Sequence, residues 1–165
     1  MPLTTASIVS VADAVVAAIE VARTSLSQQE FDLERNYADW SLDLVDASPL
    51  RVDVVPVSTK QESILEARGR KLKYVCPIDI AIRKKFGQEH LNENTGRLPN
   101  AVVDELVLFT QEIHELFTQL RFTGFTAGVV EEDPKLLANP VLKHLREYKQ
   151  FTSVVRLTFR VERAL

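Results

Sequence analysis

Two stretches of the chain alternate apolar and polar positions with a period of two. In FTSVVRLTFRV, residues 151 to 161, Phe151, Ser153, Val155, Leu157, Phe159 and Val161 share one face, and Thr152, Val154, Arg156, Thr158 and Arg160 the other. In LKYVCPIDIAIRKK, residues 72 to 85, Leu72, Tyr74, Cys76, Ile78, Ile80 and Ile82 oppose Lys73, Val75, Pro77, Asp79, Ala81 and Arg83. This period is that of a strand, and its apolar side needs a covering layer. Two helical stripes supply it. Over residues 7 to 26, Ile8, Val11, Ala12, Val15, Ile19, Ala22 and Leu26 recur at three- and four-residue steps, with Ser7 as the predicted N-cap. From Pro99 onward, with Asn100 as cap, Val102, Leu106, Phe109, Ile113, Leu116 and Leu120 form a second stripe that Phe117 widens.

Shorter patterns fill in the order. FDLERNYAD alternates from Phe31 and predicts a first strand, and RVDVVPV predicts a second over about 51 to 57. Pro56 has no N–H to give a ladder, which places it on an edge or at a bulge. FTAGVVEED predicts a short strand after Gly124. In NPVLKHLREY, Asn139 caps and Pro140 opens a short helix. STKQESILEARGRK, between the strands at 51 and 72, is polar and charged. It reads either as a long hairpin loop or as an arm, over 58–71, that orders against another subunit. The expectation is one domain over residues 1–165 with an α+β fold. A mixed, mostly antiparallel sheet of four to five strands is covered by two main helices, with a short helix before the last strand.

Composition changes this picture little. The chain has 165 residues, enough for one substantial core, and a formal net charge of −3, which argues against a general nucleic-acid binder. The single cysteine, Cys76, can make no internal disulfide and reads as a buried small hydrophobe. The N-terminal apolar run carries Asp13 and Glu20 without a basic leader, and no stretch approaches the length of a membrane span. The chain is therefore expected in the cytoplasm where it is made.

Candidate chemistry is sparse. His90, His114 and His144 share no metal-ligand spacing, and each reads as an exposed or helix-rim residue. No phosphate loop, dinucleotide fingerprint or nucleophile elbow is present. A carboxylate pair drawn from Asp32, Glu34, Asp43 or Asp46 is outweighed by the reading of solvated strand and loop charges. Basic residues do cluster: Lys71, Lys73, Arg83, Lys84 and Lys85 flank one strand, and Arg156, Arg160 and Arg163 lie on or past the last. If those strands are neighbours, their polar faces form a basic strip. Such a strip could meet phosphates, but no aromatics interleave with it as a single-strand platform requires. Pairing with acidic residues, within or between subunits, is the favoured reading.

The succession of the VADAVVAAIEVA helix, the FDLERNYADW strand, RVDVVPVS before a polar loop, KYVCPIDIAIRKKF and the closing REYKQFTSVVRLTFRV resembles the tail-terminator or minor tail proteins of long-tailed bacteriophages and prophages. The resemblance covers most of the chain as an order of elements. It implies a structural virion protein with no enzymatic activity, no cofactor and no catalytic residues. Such a protein forms a hexameric ring on the end of the tail tube, stops tube polymerisation and presents a surface to the head or its connector. Its partners would be copies of itself, the tail tube protein and the head–tail connector, with DNA only passing through and no membrane. Its place would be the host cytoplasm during assembly and then the virion tail. The residues placed at a subunit or tube interface are Glu62, Glu66, Arg68, Arg70, Lys71, Lys73, Arg83, Arg156 and Arg160. A head-completion or neck ring is the nearest alternative, and a small ligand-binding module or enzyme the alternative from another class.

Overall fold

The two period-two stretches pair with each other. In the computed structural model, which describes residues 6–66, 69–119, 129–130 and 134–164, the elements run α1 (Ser7–Ala22), β1 (Asp32–Arg35), β2 (Arg51–Pro56), β3 (Lys60–Glu66), β4 (Gly69–Lys85), α2 (Asn100–Gln119), β5 (Val129–Val130), β6 (Lys135–Ala138), a short wide helical turn (His144–Tyr148) and β7 (Gln150–Ala164). β4 and β7 run antiparallel in unbroken register from Lys71 opposite Ala164 to Lys85 opposite Gln150. They are the centre of a seven-stranded sheet. β2 joins β4 antiparallel and β1 joins β2 parallel. β3 pairs with β4 beyond the end of β2, while β5 and β6 pair with β7 on its other side. The fold is α+β with a mostly antiparallel sheet, as expected.

That register puts Cys76, Ile78, Ile80 and Ile82 opposite Phe159, Leu157, Val155 and Ser153, so the apolar sides of both strands face one way. Both helices cover that side. α1 buries Val11, Ala12, Val15 and Ile19 against β1, β2 and β4. α2 buries Leu106, Phe109, Ile113 and Phe117 and packs on β7. A fully buried Val, Leu, Ile or Phe side chain is worth about 1.5–3 kcal/mol, so these positions, all but Ala12 of that size, hold the two layers together. Where α1 ends, Arg23 lies 4.0 Å over the Phe31 ring and donates to the carbonyls of Gln29 and Phe31, fixing the approach to β1. Cys76 is buried in the core, and burial pushes its thiol pKa up, so it sits there as an inert thiol.

Several elements differ from expectation for local reasons. Ala6, not Ser7, precedes α1, and its carbonyl accepts from Val9 and Ser10. Pro99 takes the same role before α2, so Asn100 is its first helical residue rather than its cap. The sheet has seven strands instead of four to five, because β3 and β6 lie in stretches without strong alternation. β2 is flanked on both sides rather than being an edge. Pro56 is tolerated because β1 reaches only to the partner of Val54. The helix before β7 does not start from Asn139, because the Val141 amide donates to Thr152 of β7 and is held by the sheet. No described helix is long and apolar enough to cross a membrane.

Candidate functional site

The other face of the sheet carries the polar half of the alternation, and it is not simply a solvated surface. Asp53 on β2 is 1% exposed, and Asp79 and Arg83 on β4 are buried as well. Burying charges costs several kcal/mol per ion unless each finds partners of good geometry. Here each does. Arg83 donates through Nε (3.0 Å) and Nη2 to Oδ2 of Asp53. Oδ1 of the same carboxylate accepts from Asn36 Nδ2 at 2.7 Å and lies 3.4 Å from Arg51 Nη2. Two pairs along, Arg156 of β7 forks onto Asp79, with Nε to Oδ1 at 2.7 Å and Nη2 to Oδ2 at 2.9 Å. This hydrogen-bonded carboxylate raises the Arg156 pKa above its ordinary value, against a smaller opposing effect of burial. Trp40 completes the site by donating Nε1–H to Asp79 Oδ2 at 3.1 Å.

Trp40 belongs to the connection between β1 and β2, and that connection folds over this face. Its Leu44 amide donates to Gln150 Oε1 at 2.8 Å, and Lys85 Nζ reaches both Asp43 (2.7 Å) and the Leu44 carbonyl (2.6 Å). The His144–Tyr148 turn lies beside it. His144 is buried, contrary to the expectation of an exposed or rim histidine, because the turn lies against β7 and brings Nδ1 to 2.8 Å from Thr152 Oγ1. Gln150 Nε2 donates to that hydroxyl oxygen at 2.9 Å, so the Thr152 hydroxyl joins the imidazole to Gln150. Burial lowers the His144 pKa, with the Ser41 backbone acting in the opposite direction.

The basic strip exists as an arrangement of strands, and several of its cations are paired with acids. Lys73 lies 3.7 Å from Glu162 across the β4–β7 ladder, and Arg160 lies 3.8 Å from Glu62 on β3. With Arg83 on Asp53 and Arg156 on Asp79, four cations of the predicted interface set, Lys73, Arg83, Arg156 and Arg160, each face an acid. For these four, pairing within the chain is the arrangement found. Arg83 and Arg156 serve the interior, and Glu62, Lys73 and Arg160 lie toward the β3–β4 end of the sheet. Glu66, Arg70 and Lys71 hold ladder positions opposite Gly69, Leu65 and Ile64. Arg68 lies outside the described residues. Within the 58–71 segment, read as a hairpin loop or an arm, Lys60 to Glu66 pairs with Val75 to Gly69 as a hairpin of two strands.

Asp53, Asp79 and Trp40 were the residues sequence reasoning passed over. The signal was present for two of them, since an aspartate flanked by Val52 and Val54, or by Ile78 and Ile80, sits opposite a strand's core face where only a partnered carboxylate is stable. Chemically, the site clamps a connection onto a sheet. Its carboxylates are saturated by guanidinium, amide and indole donors. Among the described residues no three His, Cys, Asp or Glu side chains gather as metal ligands. Glu34 and Asp43, from the weighed carboxylate set, are held by Arg51 and Lys85. No family model matches the chain, and no curated protein matches it in sequence.

Proposed function

We propose that this chain is a structural, non-enzymatic subunit of the tail-terminator type. Copies would close into a hexameric ring on the end of a phage tail tube, stop its growth and offer the head connector a docking face, with DNA passing through the ring. The virion tail is where it would reside. The observation that carries this reading is the β3–β4 hairpin. β4 runs for 17 residues, about 55 Å at strand rise, and β3 packs on β4 rather than on either helix. β3 has no second strand neighbour among the described residues, and β5 and β6 cover only parts of the outer side of β7. Open ladder edges of this kind invite pairing with another chain and are stable in solution when an assembly covers them. A head-to-tail ring provides that cover, because it joins one edge to a different one and closes.

The test is mass in solution by light scattering after size exclusion, over a concentration series and with or without purified tail tubes. The expected result is a species near six times 18.6 kDa, or tube binding that caps further growth. A strict monomer indifferent to tubes overturns the proposal.

A further inference from the structure

A cavity of about 640 Å³ opens between the start of α2 and the turn that precedes β7. That volume lies within the range of built ligand sites, roughly 300–1,000 Å³. Its wall carries Arg97, Arg146 and Lys149, and its apolar lining includes Leu98, Val103 and Leu145. Asp104 is the one acid among its lining residues. Lys149 Nζ spends one hydrogen on the Arg146 carbonyl at 3.0 Å. The guanidiniums of Arg97 and Arg146 have no acidic partner among the described residues. A net positive, partly aliphatic cavity of this kind suits a segment that offers a carboxylate beside aliphatic side chains.

The same chain displays such a segment. In the β1–β2 connection, Leu42 is 61% and Val45 91% exposed, and the carboxylate of Asp46, also exposed, has no partner among the described residues. The connection cannot swing these groups into its own cavity, because Asp43 and Leu44 are pinned to Lys85 and Gln150. We infer that the cavity receives the 42–46 segment of a second copy, Leu42 and Val45 entering its apolar lining and Asp46 meeting Arg97 and Arg146. The donor and receiver surfaces are different, which gives a head-to-tail contact. The inference rests on the self-assembly half of the ring reading and adds the residues that form the contact.

The test measures self-association of the full chain by sedimentation velocity across a concentration series. Alongside it, binding of a labelled peptide of residues 39–48 is measured. V45D and R146E change exposed side chains, so both variants should fold as wild type. Each is expected to weaken association on the order of tenfold or more, because R146E sets a carboxylate against Asp46 and V45D puts a charge where Val45 would meet the apolar lining of Leu98, Val103 and Leu145. Combining D46R with R146E should restore association above the R146E level, which a merely structural role of either residue would not do. Peptide binding should fall in R97E and R146E in parallel. Variants that associate as wild type, a charge swap no better than R146E alone, or a wild-type chain that stays monomeric and ignores the peptide would each overturn the inference. Capping of tail tubes separates this from the functional reading. If the docking residues behave as expected but the assemblies leave tubes uncapped, only the tail-terminator proposal falls. If capping and association survive in V45D and R146E, only the docking inference falls.

Discussion

Replacing Arg83 with Met tests whether the polar face is held by charge compensation or merely by packing. Arg83 is 4% exposed and Asp53 1%, so solvent cannot screen what the substitution leaves behind. In R83M, Asp53 Oδ2 loses both of its guanidinium donors, while Oδ1 retains Asn36 and the longer contact to Arg51. Breaking a buried pair by removing one partner costs about 3–5 kcal/mol. The surviving donors on Oδ1 place this case at the low end, about 3 kcal/mol. With a urea slope of about 2 kcal/mol/M, the unfolding midpoint should fall by about 1.5 M. Met keeps much of the volume of the aliphatic stem, so a cavity adds little. The companion variant D53L/R83M removes both charges, and well-packed apolar replacements of buried pairs are often neutral. It should regain most of the loss. A drop below about 1 kcal/mol in R83M would refute the argument. So would a double variant as unstable as the single one, which would assign the loss to packing.

Three further outcomes follow from the geometry. Trp40→Phe keeps a ring over the sheet but removes the donor to Asp79, a hydrogen bond to a charged group worth about 1.5 kcal/mol at the low end because Arg156 remains. Thermal unfolding should shift down by about 3–6 °C, and an unchanged midpoint would show that the indole N–H holds nothing. His144 has a folded pKa below its ordinary value of about 6.5. The folded state thus resists the proton that the unfolded chain accepts, so stability is full above about pH 6.5 and falls as pH drops toward the folded pKa. In H144Q, denaturant titrations between pH 7 and 5 should lose that part of the slope. An unaltered slope would place the titration elsewhere. Glu62→Lys removes a half-exposed pair with Arg160, which should move stability by no more than about 0.5 kcal/mol. Under the tail-terminator reading it should nevertheless impair ring formation or tube capping, and intact capping would remove Glu62 from the interface.

The long strands, the two helices and the division of each strand into an apolar and a polar side are legible in the chain, because they depend on local periodicity. Phe151 to Val161 and Cys76 to Ile82 would seek a common core in almost any arrangement that buries them, and α1 and α2 carry the stripes to cover it. The hairpin strand β3 was not legible, since Lys60 to Glu66 becomes a strand by borrowing the ladder of β4 and not through any alternation of its own. The site was half visible. Period two placed Arg83 and Arg156 on the polar side and raised the choice between a basic surface and paired charges. Only the register decided it, by setting Asp79 opposite Arg156 and bringing β2, with Asp53, beside Arg83. The fate of His144 and Trp40 lay further from reach, because each is buried or bonded by a segment remote in sequence: Trp40 meets Asp79 across 39 positions. Local sequence fixes which residues must leave water. Which charge each polar residue then meets is set by strand order, a property of the whole fold.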